Sequence, residues 1–197
     1  CSRVMYMLAE TACKNLVSAQ VAFRKYHQAH EVVFIIRQLV ETTLEWRAPH
    51  LCIMDGDIKK AYDYVSHRAF AEAARSRGMH EIIMHAWLIE RRRTMGIIRI
   101  DKETTSEEVP RTRGLPQGDP SAPMIFNVVL DTLAEKFLAA AATRGWGLRL
   151  GDNSWVNLII FADNYWLVAT SPPMLSAMTN EWLRRLGEVG WETPRLT

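Results

Sequence analysis

Trp155-Val-Asn-Leu-Ile-Ile-Phe161, followed by Ala162-Asp163-Asn164 and then Tyr165-Trp-Leu-Val-Ala169, is the stretch that decides the fold. Two apolar runs of strand length, separated by three residues with a polar tip, predict a tight antiparallel hairpin. Upstream, Leu51-Cys-Ile-Met-Asp55 reads as another short buried strand, and Asp57 sits at its end, just past Gly56. Around these strands the apolar spacing is helical. Helices are predicted over 4–18 and over 31–46, the latter on Val32, Val33, Ile36, Leu39, Val40 and Leu44, ended by Pro49. Further helices fit 67–77, capped by Ser66 and closed by Gly78, then 81–92 and 124–142. The last opens at Pro172 and Pro173 and runs to about Gly187. A second hairpin is expected from 96–100 and 106–109, and 111–123 reads as a Gly/Pro-rich loop. Helices mixed with adjacent antiparallel strands give the α+β class.

The composition suits a packed core. Of 197 residues, 48% are hydrophobic and 23% charged, with 10 Gly and 8 Pro, which excludes disordered, collagen-like and low-complexity chains. No apolar run reaches the roughly 18 residues that cross a bilayer, so no membrane partner is expected. A net charge of +2, from 24 Lys+Arg against 22 Asp+Glu, gives no independent sign of nucleic-acid binding. Cys1, Cys13 and Cys52 are odd in number and lack C-x-x-C spacing, so reduced thiols are expected. The chain starts at Cys1 without an initiator Met and stops mid-pattern, and reads as a piece of something longer.

Two carboxylates stand out. Asp57 and Asp163 lie at the edges of buried strands, where a charge is costly unless paired, hydrogen-bonded or bound to a metal. If the strands are neighbours, the two converge on one cation site; the alternative is that each only caps a turn.

Three motifs carry a family resemblance. Asp57-Ile-Lys-Lys-Ala-Tyr-Asp-Tyr-Val-Ser-His67 resembles the first palm motif of reverse transcriptases. Arg113-Gly-Leu-Pro-Gln-Gly-Asp-Pro-Ser-Ala-Pro-Met-Ile-Phe-Asn127 resembles the second, and Phe161-Ala-Asp-Asn164 the third, in the family's order and spacing. Gln20-Val-Ala-Phe-Arg24 is similar to a fingers motif. The nearest type is the non-LTR retrotransposon enzyme, with group II intron enzymes next. The resemblance implies a right-hand polymerase fragment: residues 1–50 a fingers-side helical region, 51–197 a palm with an inserted fingers segment, and the thumb absent. The palm would be an antiparallel sheet backed by helices.

The resemblance also implies chemistry. A primer 3′-hydroxyl attacks the α-phosphorus of a deoxynucleoside triphosphate opposite an RNA template, with two Mg²⁺ ions stabilising the attacking and leaving oxygens. Magnesium prefers hard oxygen ligands; Asp57 and Asp163 would bridge the ions, joined by the backbone carbonyl of Ile58. The triphosphate would lie over the backbone of 59–62, including Ala61. Tyr62 falls where the family keeps an aromatic gate against the ribose 2′-hydroxyl; the alternative is an aromatic buried beneath the palm. Gln117 would contact the incoming nucleotide, and Gly118 would let the template backbone approach. Asp63 and His67 read as structural, and Lys59 and Lys60 as solvated. The basic cluster of Arg91, Arg92, Arg93, Arg99, Lys102, Arg111 and Arg113 is interleaved with acids and reads as solvated surface, except at Arg113.

Departures from the pattern bear on activity. The third motif normally ends in two aspartates, and Asn164 replaces the second, which weakens the hold on one of the two ions. Asp55, two residues from Asp57 on the same strand face, is a candidate to compensate. Ala22 replaces a usual Gly, Lys25-Tyr-His27 stands where a Pro-Gly turn is common, and no Lys follows Gly190. Two functions therefore compete: an active polymerase fragment working with the thumb and other domains of a longer protein, and a degenerate copy that keeps the fold and binds nucleic acid without catalysis. Nuclear placement follows from the retrotransposon analogy.

Overall fold

The structure, a computed structural model, describes residues 16–24, 26–45, 50–99, 101, 105–110, 112–116, 118–151 and 154–192. In chain order its elements are α1 (Ala29–Glu45), β1 (Cys52–Asp57), α2 (His67–Ser76), α3 (Glu81–Arg92), β2 (Met95–Gly96), β3 (Val109–Pro110), α4 (Ala122–Arg144), β4 (Leu148–Leu150), β5 (Ser154–Val156), β6 (Leu158–Phe161), β7 (Asn164–Ala169) and α5 (Pro172–Glu188). They belong to two compact units, one within Tyr62–Val129 and one drawn from Asn15–Ala61 and Leu130–Thr197.

The second unit is built on a three-stranded antiparallel sheet in the order β1-β7-β6. Side chains alternate between its faces. On one face Ile159 and Val168 join Val32 and Leu39 of α1 in a buried apolar cluster, against which Phe161 and Trp166 pack. On the other, Met54 and Tyr165 meet α5: the Thr179 hydroxyl lies 3.0 Å from the Met54 sulfur, and the rings of Tyr165 and Trp182 are 5.7 Å apart. Helix α5 starts with Ser171 as its cap, accepting from the Met174 N–H, and with prolines in its first turn, where no backbone donor is lost.

In the first unit, Ser66 caps α2 by accepting from the Ala69 N–H at 3.3 Å, and Gly78 follows the helix at φ +72°, a conformation that favours glycine. Trp87 of α3 packs on Phe70 of α2, with centroids 4.5 Å apart.

Several boundaries differ from the sequence reading, each for a reason in pairing. The strand expected to stop at Asp55 runs to Asp57, because its ladder with β7 continues through Asp57 opposite Asn164. The apolar run 155–161 is two strands: β5 pairs with β4, whereas β6 pairs with β7, and Asn157 is the link, its carbonyl accepting from the Val168 N–H at 3.0 Å. The hairpin tip is two residues, Ala162 and Asp163, with Asn164 already in β7. The second hairpin shrinks to Met95–Gly96 paired with Val109–Pro110; toward its turn the Ile98 N–H donates to the Ser106 hydroxyl and not to a backbone carbonyl, and Arg99 and Thr105 form only an isolated bridge. The helix expected over 4–18 falls mostly outside the described residues, and Leu16 to Ser18 are not helical. No helix among the described residues is long and apolar enough to cross a membrane.

Candidate active site

The acidic end of the sheet is assembled by register. Asp55, Gly56 and Asp57 of β1 lie opposite Trp166, Tyr165 and Asn164 of β7. Opposed residues in an antiparallel pair share a face, so Asp55, Asp57 and Asn164 share one, while Tyr165 points the other way. The Ile58 N–H donates to the Asp163 carbonyl at 3.0 Å, tying the end of β1 to the hairpin tip. At that tip Ala162 holds φ +55°, a left-handed conformation uncommon for a residue with a Cβ.

The electrostatics follow from this crowding. Partial burial, then the negative charge of Asp163 and that of Asp55, hold the Asp57 carboxyl above its ordinary value, against the opposing pull of the Ile58 N–H. Burial, and then the charges of Asp57 and Asp55, push the Tyr165 hydroxyl up to about 12. The segment after Asp57 is stitched in place: the Lys59 N–H donates to the Glu192 carbonyl, and the Trp191 indole N–H donates to the Ala61 carbonyl, both at 2.9 Å. Ala61 is buried and Lys59 and Lys60 are exposed. The structure thus gathers Asp57, Ile58, Asp163 and Asn164 at one end of one sheet. Among the described residues no group of three or more His, Cys, Asp or Glu side chains is arranged to hold a metal ion. The donors on offer are two carboxylates, an amide oxygen and a backbone carbonyl.

The other candidates belong to the first unit. Tyr62 is half-buried and stacks on Phe126, with centroids 4.9 Å apart and planes 21° from parallel; its carbonyl accepts from the Leu115 N–H. Gly118 has φ +82°, and nothing lies within 4 Å of where its Cβ would be, so the backbone there is open to approach. Gln117 lies outside the described residues. His67 is held by the Gly114 carbonyl at 3.1 Å and sits edge-on to Trp87, in keeping with a structural role. The Arg113 guanidinium lies over the Tyr64 ring, 4.2 Å from its centre.

Two pairs escaped the sequence reading. Arg91 is not a solvated surface charge. Its side chain is 8% exposed and pairs with Asp119, itself 6% exposed, and its guanidinium lies 5.2 Å from the centre of the Trp87 ring. Asp119 also accepts from the Ser121 N–H and hydroxyl, both at 2.8 Å, which orders the start of α4. Helical spacing offered a signal: Arg91 lies four residues from Trp87, on the buried side of α3. The second pair is Gly56 and Tyr165, which are cross-strand partners. A glycine inside a strand marks close approach by another group.

The family pattern described as reverse transcriptase (RNA-dependent DNA polymerase) matches residues 1–195. The chain belongs to the reverse transcriptase family. Its relatives place it with the non-LTR type. It is 26% identical over 168 residues to the Retrovirus-related Pol polyprotein from type-1 retrotransposable element R2 of Nasonia vitripennis, covering 83% of this chain and 15% of that one. To the R2 polyprotein of Popillia japonica it is 29% identical over 119 residues, covering 60% and 16%. The chain therefore spans only a small part of these relatives' length. Among solved structures, apo telomerase from Candida tropicalis matches with a TM-score of 0.69 at 12% identity, covering 97% of this chain and 34% of that one. Telomerase from Candida albicans matches at 0.68 and 12%, covering 98% and 33%. At such identities the likeness is one of fold, and it makes this reverse transcriptase chain a fingers–palm fragment with an antiparallel sheet backed by helices.

Proposed function

We propose that the chain is the fingers–palm part of an RNA-directed DNA polymerase of the R2 retrotransposon type, adding deoxynucleotides to a primer 3′-hydroxyl. The observation that supports this most is the β1–β7 register, which sets Asp57 beside the Ala162-Asp163 turn in a chain whose family membership runs from end to end. An all-oxygen donor set of Asp57, Asp163, the Asn164 amide and the Ile58 carbonyl suits Mg²⁺ in kind. Bound there, two such ions would stabilise the attacking and leaving oxygens of nucleotidyl transfer. The chain's own contribution is to fix these donors on a ladder of backbone hydrogen bonds. Asp57, raised by partial burial and then by its acidic neighbours, would be relieved by a cation beside it. Ala61 and the rest of 59–62 would carry the triphosphate, Tyr62 would act as the sugar gate, and Gln117 and Gly118 would serve nucleotide and template. RNA template, DNA primer, deoxynucleoside triphosphate and the further domains of a longer protein are the partners this reading requires.

Asn164 favours a second reading, an inactive copy that still binds nucleic acid. It sits directly opposite Asp57 and offers a neutral oxygen where an anion would hold the second ion more tightly. Primer extension on an RNA template with Mg²⁺ separates the two. Incorporation that disappears in Asp57→Asn supports the polymerase; incorporation only in Asn164→Asp supports the degenerate copy; none in either refutes the assignment of these residues.

A further inference from the structure

At the end of β1 two facing positions exchange volume. Gly56 contributes no side chain, and the ring of its cross-strand partner Tyr165 fills the space. A Cβ on Gly56 would lie 2.3 Å from the Tyr165 Cζ, 2.5 Å from its Oη and 2.6 Å from its Cε2, distances that real Cβ atoms do not show. Gly56 is not among the left-handed glycines, so space and not backbone conformation demands it. The ring cannot retreat: Tyr165 is 1% exposed, with Trp182 behind it at 5.7 Å. Gly56 also stands between Asp55 and Asp57, two residues before the Ile58 N–H that binds the Asp163 carbonyl. Whatever sets the approach of Tyr165 to Gly56 sets how the end of β1 meets the turn carrying Asp163.

We propose that Tyr165 is a positioning residue whose ring, seated over Gly56, fixes the separation of Asp57 from Asp163. This rests on reading those two aspartates as the cation holders. The ring acts through packing, since close-packed interiors transmit a displacement of even one methylene. In Gly56→Ala the new methyl meets the ring, β1 shifts away from β7, and the bond from Ile58 to Asp163 weakens. Tyr165→Leu empties the same space and loosens the same bond, whereas Tyr165→Phe keeps the ring and the spacing.

Two readouts on the 197-residue chain separate the spacing from the metal. Amide hydrogen exchange at Ile58 reports the bond to Asp163 directly, and Mn²⁺ binding followed by electron paramagnetic resonance reports the carboxylates. Gly56→Ala and Tyr165→Leu are each expected to speed Ile58 exchange and weaken Mn²⁺ by about tenfold, equivalent to about 1.4 kcal/mol. The pair Gly56→Ala/Tyr165→Leu, where the methyl meets a smaller side chain, is expected to recover most of both. Leu148→Ala, a cavity in the same unit beneath β4, which pairs with β5 and not with β1 or β7, lowers the melting temperature and moves neither readout. Unchanged Ile58 exchange in both single variants, or no recovery in the pair, overturns the positioning role. Failure of Mn²⁺ to bind the unaltered chain overturns the cation reading instead, and Ile58 exchange still decides the role of Tyr165.

Discussion

Replacing Asn164 with Asp should make the metal-free protein less stable and the metal-bound protein more so. Asn164 lies directly opposite Asp57, and such pairs hold their Cβ atoms about 4.5–5.5 Å apart. Two unit charges 5 Å apart repel by about 0.8 kcal/mol in bulk water and about 3 kcal/mol at an effective dielectric of 20. Asp57 is exposed and the carboxylates can swing apart, so the lower figure governs, about 1 kcal/mol at low salt. For a chain of this size that is a fall in melting temperature of about 2–4 °C. A third carboxylate also strengthens the hold on a divalent cation, and a ligand at 100 times its Kd stabilises by about 2.7 kcal/mol. Thermal melts in EDTA and in Mg²⁺, at low ionic strength, measure both effects. The variant should melt below the parent in EDTA and gain more from Mg²⁺ than the parent does. Equal melting in EDTA combined with an equal Mg²⁺ shift would refute the view that position 164 faces Asp57 in a shared cation site.

Three other outcomes follow from the same geometry. Tyr62→Val in a polymerising form should admit ribonucleotides, read by primer extension with each sugar; unchanged discrimination removes Tyr62 from the gate. Arg91→Met strands the buried Asp119 carboxylate and should cost about 3–5 kcal/mol in denaturant melts, while Arg91→Met/Asp119→Asn, which removes the charge and keeps an oxygen for the Ser121 N–H and hydroxyl, recovers part of that loss. Because Asp57 is held above its ordinary 3.8, the folded state keeps its proton to higher pH than the unfolded one, and stability falls as pH rises through that interval. Asp57→Asn should remove this slope and melt higher than the parent at neutral pH, converging with it near pH 3, as a melting series across pH would show.

Long periodic segments were the most legible in the sequence. The apolar stripe from Val32 to Leu44 placed α1 to within two residues, and the boundaries of α3 agree throughout, since helical spacing over three or more turns is hard to mistake. The 155–161 run was harder. Its hydrophobicity is continuous, and only long-range pairing with Leu148–Leu150 on one side and β7 on the other splits it at Asn157. Asp57 and Asp163 were found through motif and strand edge together, and neither signal reveals that Asn164, one residue on, is the direct neighbour across the ladder. Arg91 was misread because a run of three arginines resembles a solvated face, and only its place beside Trp87 and Asp119 shows otherwise.

The left-handed alanine at position 162 has a consequence for ligand capture. Holding an L-residue in that conformation raises the energy of the native chain by about 1–2 kcal/mol. Glycine would relax the bend, but it would also let the apex sample both hands and blur the aim of the carboxylate beside it. With alanine the apex is held in one hand, so on the proposed cation reading an arriving ion would find its ligand already oriented and would lose little of its affinity to ordering the loop.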